Sequence, residues 1–435
     1  MITLGAEWLR DRWDELSRTG FVPVRLSEWD GSDAFTLADL GPLPSPRVVT
    51  GTVILGVAGP PPDSLVVVRL VQSEGGPTEP NLARFAAPDG RTYALSGEFL
   101  GSTPPKSLRV EIVSVTSALA ERRLALLEST MLGDACVLIV GLGTGGISVA
   151  LELAKAGVGH FMLVDGDRLS VGNVSRHHAG VSHAGRKKVY AARDLILEKN
   201  PAATIVAEPQ AAGAENEDAV RALVRRSNVV VSAVDHRPSK LFLNRLCIAE
   251  SRSAVYGGAF RRAYGGQVLR VRPQRSPCYQ CFVMAMPEKD EDFEIASERD
   301  SLQVAYSDRP TPIEPGLSLD VAPLSTMVAR LTLNELVLGK PTPLAGLERD
   351  FSAPWYLWIN RPQAGTQYAR LPPLSDSADE MTIMRWYGIE LDREPGCPAC
   401  GDFRTAAQET YGLTDLDLPD LPERPSGISD APVKE

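Results

Sequence analysis

The stretch from Cys136 to Asp167, CVLIVGLGTGGISVALELAKAGVGHFMLVDGD, constrains the fold more than any other part of the chain. Val137–Val140 is a short apolar run rich in β-branched residues, which fits a buried parallel strand. It enters Gly141-Leu142-Gly143-Thr144-Gly145-Gly146. Ile147–Ala156 then carries helix formers at apolar spacing, and a second apolar strand, Phe161–Val164, ends on Asp165. In such a unit Gly141 permits the tight turn, Gly143 lets a phosphate approach the backbone, and Gly146 lets the helix pack close to the strand. The helix N-terminus offers unpaired N–H groups to an anion. Asp165 follows the turn by roughly the ~20 residues at which a carboxylate reaches a ribose hydroxyl. The alternative is a glycine turn that only packs a helix on a sheet.

The chain continues in the same alternation. Helices are expected at Arg186–Lys199, Asn216–Arg226 and Pro238–Ser251, with strands at Thr204–Ala207, Val229–Ala233 and Ala254–Gly257. This pattern predicts a doubly wound, Rossmann-like α/β fold: a parallel sheet with helices on both faces and ligands beyond the carboxyl ends of the strands. Asp165 and Asp235 both stand at those ends. Asn173 and Arg176 share the loop after Asp165. Gly185-Arg186-Lys187-Lys188 opens the next helix, where cations oppose the helix dipole unless an anion relieves them. Ordinary solvated charge is the other reading of those lysines.

Residues 1–116 read as a small β-rich domain of unknown role: a short helix over Trp8–Leu16, then β-type runs separated by turns rich in proline and glycine. Ser117–Leu132 is a helix candidate carrying Arg122 and Arg123. Beyond the sheet, Glu288–Asp300 is an acidic solvated loop, Val321–Leu338 a long helix, and Phe351–Ile359 and Met381–Leu391 strands. An acidic, proline-containing tail spans 402–435 and is expected to be disordered.

Cys278-Tyr279-Gln280-Cys281 and Cys397-Pro398-Ala399-Cys400 are paired knuckles. Each presents two thiolates, half of a tetrahedral zinc site. A structural Zn²⁺ on Cys278, Cys281, Cys397 and Cys400 would tether the C-terminal β segment to the sheet. A redox pair is the competing use of such a motif.

Composition narrows the partners. A net charge of −10 argues against nucleic acid. The chain opens with no basic leader followed by an apolar core, and no apolar run reaches the ~20 residues of a membrane span. A cytoplasmic protein with reduced thiols is therefore expected.

Taken together, GLGTGG, VDGD, the Asn173–Arg176 loop, Gly185–Lys188, Asn200-Pro201, Asp235 with Lys240, and the two CxxC knuckles resemble the ubiquitin-activating superfamily. That superfamily includes the bacterial ThiF and MoeB adenylating enzymes, and the resemblance runs from about 117 to 401. It implies an ATP-dependent adenylyltransferase. Such an enzyme activates the C-terminal carboxylate of a ubiquitin-like or sulfur-carrier protein, for transfer or for handing to a conjugating-enzyme partner. Gly141, Gly143 and Gly146 would cradle ATP and Asp165 would hold the ribose. Asn173, Arg176 and Lys188 would contact phosphates, and Asp235 would hold Mg²⁺. Arg122 or Arg123 would reach the partner's ATP across a homodimer. The chain departs from conjugation-type members in one respect: residues 282–396 contain no cysteine. The acyl group would then pass to an external nucleophile, to a hydroxyl such as Ser307, Thr311 or Ser318, or to one of the remaining thiols, Cys136 or Cys247, both of which read most simply as core residues. Rival readings are a peptide-adenylating member of the same superfamily, an NAD-dependent oxidoreductase and an inactive scaffold.

Overall fold

A computed structural model describes residues 2–29, 34–37, 47–55, 60–73, 83–114, 118, 119, 121, 131–286, 316–374, 380–402 and 408. The chain divides into two compact units, Met1–Leu124 with Asn200–Ala202, and Ala125–Lys199 with Ala203–Glu435. The helix expected over Ser117–Leu132 lies almost wholly outside the described residues. Arg122, Arg123, the acidic loop, Ser307, Thr311 and nearly all of the tail lie outside them too.

The first unit opens on β1 (Ile2–Gly5), α1 (Ala6–Asp11) and α2 (Trp13–Thr19). The helix expected over Trp8–Leu16 is thus two short helices that meet at Arg12. β2 (Phe21–Trp29), β3 (Ala34–Leu37), β4 (Arg47–Leu55), β5 (Val66–Gln72), β6 (Ala83–Ala86), β7 (Thr92–Phe99), β8 (Lys106–Leu108) and β9 (Val110–Val113) follow. They form one nine-stranded sheet in the order β6-β7-β5-β4-β2-β3-β1-β9, with β8 paired on β7. Its core gathers Ile2, Leu4, Leu9, Trp13, Leu16, Val53, Val68, Leu70 and Leu95.

The second unit holds the nucleotide-type motif. Its first half runs β10 (Cys136–Val140), α3 (Thr144–Ala156), β11 (His160–Val164), α4 (Lys188–Lys199), β12 (Thr204–Glu208) and α5 (Glu217–Arg226). β13 (Val229–Ser232), α6 (Arg237–Ala249), β14 (Ser253–Ala259) and β15 (Gly265–Val271) continue it. α7 (Tyr279–Ala285), α8 (Ser318–Val337), α9 (Leu347–Asp350), β16 (Trp355–Ile359) and β17 (Trp386–Ile389) complete it. The sheet order is β12-β11-β10-β13-β14-β15-β16-β17. The first five strands are parallel, and β15, β16 and β17 join antiparallel. The expected parallel sheet is therefore a mixed one, Rossmann-like in its first half.

Side-chain alternation on the central strands builds two cores. Val137, Ile139, Phe161, Leu163, Val229 and Val231 face α3, α4 and α8. Leu138, Val140, Met162, Val164 and Val230 face α5, α6 and α7. The long C-terminal helix begins at Ser318, earlier than expected, and runs through Pro323. The last strand is shorter than the Met381–Leu391 run and is confined to Trp386–Ile389.

The sequence pattern does not mark β15, and its residues show why. All seven are buried, Gln267 and Arg270 included, so neither alternation nor an apolar run marks it. Burial of Arg270 and Arg272 is compensated by acids from α8 and α9. Arg270 Nη1 lies 3.8 Å from Glu335 and 3.4 Å from Glu348, and Arg272 Nη2 lies 2.6 Å from Glu335. Arg272 pairs with Glu348 as well. Such a network costs little only because every charge has a partner.

Candidate nucleotide site and four-cysteine centre

The chain leaves β10 to one side for β11 and β12, then returns to the other side for β13. This is the switch point at which a crevice opens beyond the strand ends. Three loops meet at that edge: the glycine turn after β10, the loop after β11 and the loop after β13.

The glycine turn is built as its residue types require. Gly141 has φ of +90°, and a Cβ there would lie 2.8 Å from the Ala233 carbonyl at the end of β13. A Cβ on Gly146 would lie 1.9 Å from the Gly141 oxygen, so α3 packs directly on the turn. Gly143 caps α3, and a Cβ there would meet nothing within 4 Å. Its backbone borders open space at a helix N-terminus, as an anion cradle needs.

Asp165 is buried and turned into this loop. Its Oδ2 accepts the Leu142 N–H at 2.7 Å, and its Oδ1 accepts the Asp167 N–H at 2.8 Å. Burial raises its carboxyl above the usual carboxylate range, against the lowering pull of Lys188 and the two N–H groups. The residue singled out as a ribose ligand thus also fixes the glycine turn.

The loop from Asp167 to Lys188 is closed at its neck. Leu169 N–H donates to Arg186 O at 2.9 Å, and Gly185 N–H to Leu169 O at 2.8 Å. The Lys188 ammonium sits 2.7 Å from Asp167 Oδ2, and Lys187 donates to the Gly166 carbonyl. Lys188 therefore stands beside Asp165 with its charge partly spent on Asp167. Asn173 Oδ1 accepts the Ser170 N–H at 3.1 Å within a turn of the same loop. Arg176, partly exposed, makes no side-chain hydrogen bond or ion pair among the described residues. Asp235, exposed just beyond β13, has none there either. Lys240, one turn further on, is fully buried, with its ammonium 5.8 Å from the Tyr279 ring centroid.

The structure thus brings Gly141, Gly143, Gly146, Asp165, Asn173, Arg176, Lys188 and Asp235 to one edge. Three contributions were missed in the sequence. Asp167 is the partner of Lys188. The Leu142 peptide is the object that Asp165 holds. His177 ties the loop to the turn: its Nε2 lies 3.0 Å from Leu142 O, and its Nδ1 lies 3.0 Å from the Ala179 N–H. Only the run of two histidines after Arg176 hinted at this.

The two CxxC knuckles meet on the sheet face covered by α5, α6 and α7. Cys278, Cys281, Cys397 and Cys400 are buried, with all four sulfurs within 4.8 Å of one another. Separations of 3.8 Å (Cys278–Cys281), 3.7 Å (Cys278–Cys397) and 3.4 Å (Cys281–Cys400) bracket a zinc tetrahedron. Zn–S bonds of about 2.3 Å put the tetrahedral edge near ~3.8 Å. Asn244 Nδ2 lies 3.5 Å from Cys278 Sγ, and Glu394 N–H donates to Cys281 Sγ at 3.4 Å. These are the outer hydrogen bonds that orient thiolate ligands. The donor set fits Zn²⁺.

Residues 121–344 match the model of the ThiF family. The chain belongs to the ThiF family. Among curated relatives, a mouse protein named adenylyltransferase and sulfurtransferase MOCS3 is 33% identical over 174 residues, covering 40% of this chain and 37% of that protein. A molybdopterin-synthase adenylyltransferase of Salmonella typhimurium is 35% identical over 152 residues, covering 34% of this chain and 59% of that protein. This ThiF-family chain therefore matches less than two thirds of either relative. Among solved structures, E. coli MccB aligns with a TM-score of 0.43 at 16% identity, over 62% of this chain and 68% of that one.

Proposed function

We propose that this ThiF-family chain is an ATP-dependent adenylating enzyme whose substrate is the C-terminal carboxylate of a ubiquitin-like or sulfur-carrier protein. One observation carries the reading: Arg176 and Asp235, at the same strand-end edge as an open glycine cradle, have no side-chain partners among the described residues. A cation and an acid left unneutralised on two loops at that edge are what a metal–triphosphate complex requires.

In this reading Asp165 holds the turn and, through its remaining lone pairs, the ribose. Arg176 and Lys188 neutralise phosphate charge so that a second carboxylate can approach. Asp235 supplies a hard oxygen ligand to Mg²⁺. The 117–401 stretch is the adenylation domain, the 1–116 stretch a β-rich domain of unknown role, and 402–435 an acidic tail. Arg122 or Arg123 acts across a homodimer. The names of the MOCS3 and molybdopterin-synthase relatives support a protein substrate. A bound NAD, which needs no metal ion, would leave Asp235 unused.

Pyrophosphate exchange into ATP, stimulated by a candidate carrier protein, tests the reading. Wild type should exchange, and Asp235→Ala should lose exchange while its melting curve stays within about ±0.5 kcal/mol, as expected of an exposed position. Tight NAD binding without ATP binding would sink the proposal.

A further inference from the structure

Resting on that reading, we infer that His177 is a positioning residue that sets the phosphate-facing shape of the glycine turn by holding the peptide between Leu142 and Gly143.

The hydrogen-bond partners of His177 fix its state. Nδ1 faces the Ala179 N–H, which can only donate, so Nδ1 is the unprotonated nitrogen. Nε2 faces the Leu142 carbonyl, which can only accept, so Nε2 carries the proton. The ring is therefore neutral and a single tautomer. An imidazolium would set a second N–H against the Ala179 N–H and break that contact. Burial lowers the His177 pKa below the ordinary histidine value, opposed by the Leu142 bond and reinforced by the nearby Lys188 ammonium.

The consequence for the cradle follows from peptide geometry. A trans peptide points its C=O and N–H in opposite directions. Tethering the Leu142 oxygen to His177 therefore aims the Gly143 N–H the other way. The peptide before it is held independently, since the Leu142 N–H is bonded to Asp165. Both planes flanking the Leu142 Cα are pinned, one by a carboxylate and one by an imidazole. Among the described residues the Gly143 N–H donates to nothing, which leaves it for an anion. A second tether, His178 Nε2 to Ser148 Oγ at 2.9 Å, holds the same loop against α3. The loop that carries Arg176 and the turn that forms the cradle are thus one mechanical piece, joined at His177.

The test compares wild type, His177→Ala and His177→Gln in two measurements. The first is amide hydrogen exchange at Gly141 and Leu142, the two amides of the turn that donate to Val164 O and Asp165, with no nucleotide present. His177→Ala should speed exchange there by at least tenfold, with exchange in β10 and α3 unchanged. His177→Gln, which keeps a donor toward Leu142, should remain within about threefold of wild type. Unchanged exchange in His177→Ala overturns the inference, whether or not the protein binds ATP. The second is ATP·Mg²⁺ affinity by calorimetry at pH 8. His177→Ala should bind at least tenfold more weakly than wild type, and His177→Gln should stay within about threefold of it. Equal affinity of His177→Ala and wild type overturns the inference. If His177→Ala alters exchange but wild type binds no ATP, the positional role stands and the adenylating function fails. Should His177→Ala not fold, His177→Leu, which also lacks a donor toward Leu142, takes its place in both measurements.

Discussion

The Asp165 carboxylate accepts the Leu142 N–H at 2.7 Å, joining the end of β11 to the first residue after Gly141. A ribose ligand free in the crevice would not need this bond; a residue that builds the cradle would. Replacing Asp165 with Asn keeps the shape but offers one carbonyl oxygen where two backbone donors are now satisfied. One N–H must then face an amide NH₂. Loss of a hydrogen bond to a charged group amounts to about 1.5–3 kcal/mol. ATP affinity of Asp165→Asn should therefore fall about 10- to 100-fold. Calorimetry checks this, and unaltered affinity would remove Asp165 from both roles.

The second prediction concerns the four-cysteine centre. Its sulfurs already stand near the spacing of a zinc tetrahedron, with donors from Asn244 and Glu394 behind them. Elemental analysis of freshly purified protein should give one Zn²⁺ per chain. Structural zinc contributes about 10 kcal/mol or more to folding in small metallo-domains. Cys397→Ser should thus lose the metal and make the 391–402 segment sensitive to protease before the sheet melts. Metal-free wild type of full stability would defeat the assignment.

How legible was all this in the sequence? The β10–α3–β11 unit was readable because each residue reports its own backbone duty. Gly141 needs positive φ, Gly146 needs contact, and Val137–Val140 needs two buried faces. The cysteine pairs were readable because CxxC carries its geometry locally, although the residues that join the pairs were not. β15 was illegible because its character is set by tertiary partners: Arg270 is buried only because Glu335 and Glu348 arrive from elements far along the chain. His177 was illegible for the same reason. Its neutral tautomer exists only where Leu142 O and Ala179 N–H converge. Sequence exposes what a residue demands of its own backbone, and hides what it receives from distant ones.

The same network gives a pH prediction. The hydrogen bond from Arg272 pulls the Glu348 carboxyl down to about 2, with burial opposing. An unfolded glutamate titrates near ~4.3. The folded value lies below the unfolded one, so the stabilisation is fully present above pH ~4.3 and is lost as pH falls toward 2. Glu348 is 37% exposed, so solvent screening limits the effect to about 1 kcal/mol. Melting temperature should drop between pH 4.5 and 2.5 in wild type, and more shallowly in Glu348→Gln. Equal slopes would show that the pair contributes nothing measurable.

The last prediction is the fate of an adenylate, should one form. A thioester needs a nucleophilic sulfur near the nucleotide edge, and the placement of the cysteines works against one. Four are gathered in the buried four-cysteine cluster on the α5–α7 face of the sheet. Cys247 is fully buried on α6, and burial pushes its thiol up to about 12. Cys136 is the first residue of β10, at the opposite end of the strand from the glycine turn, and burial raises its thiol too. Between 282 and 396 there is none. Thiolates rather than thiols attack, so Cys136 and Cys247 are poor acceptors in position and in ionisation. Incubating the protein with ATP, Mg²⁺ and a carrier protein, then running a denaturing gel, should show no adduct cleaved by thiol reductant. No adduct at all is expected for direct transfer to an external nucleophile. An adduct that survives reductant but yields to alkali would point instead to a hydroxyl, with Ser318 at the first turn of α8 as the candidate among the described residues. A reductant-sensitive adduct that disappears in Cys136→Ala or Cys247→Ala would overturn the prediction.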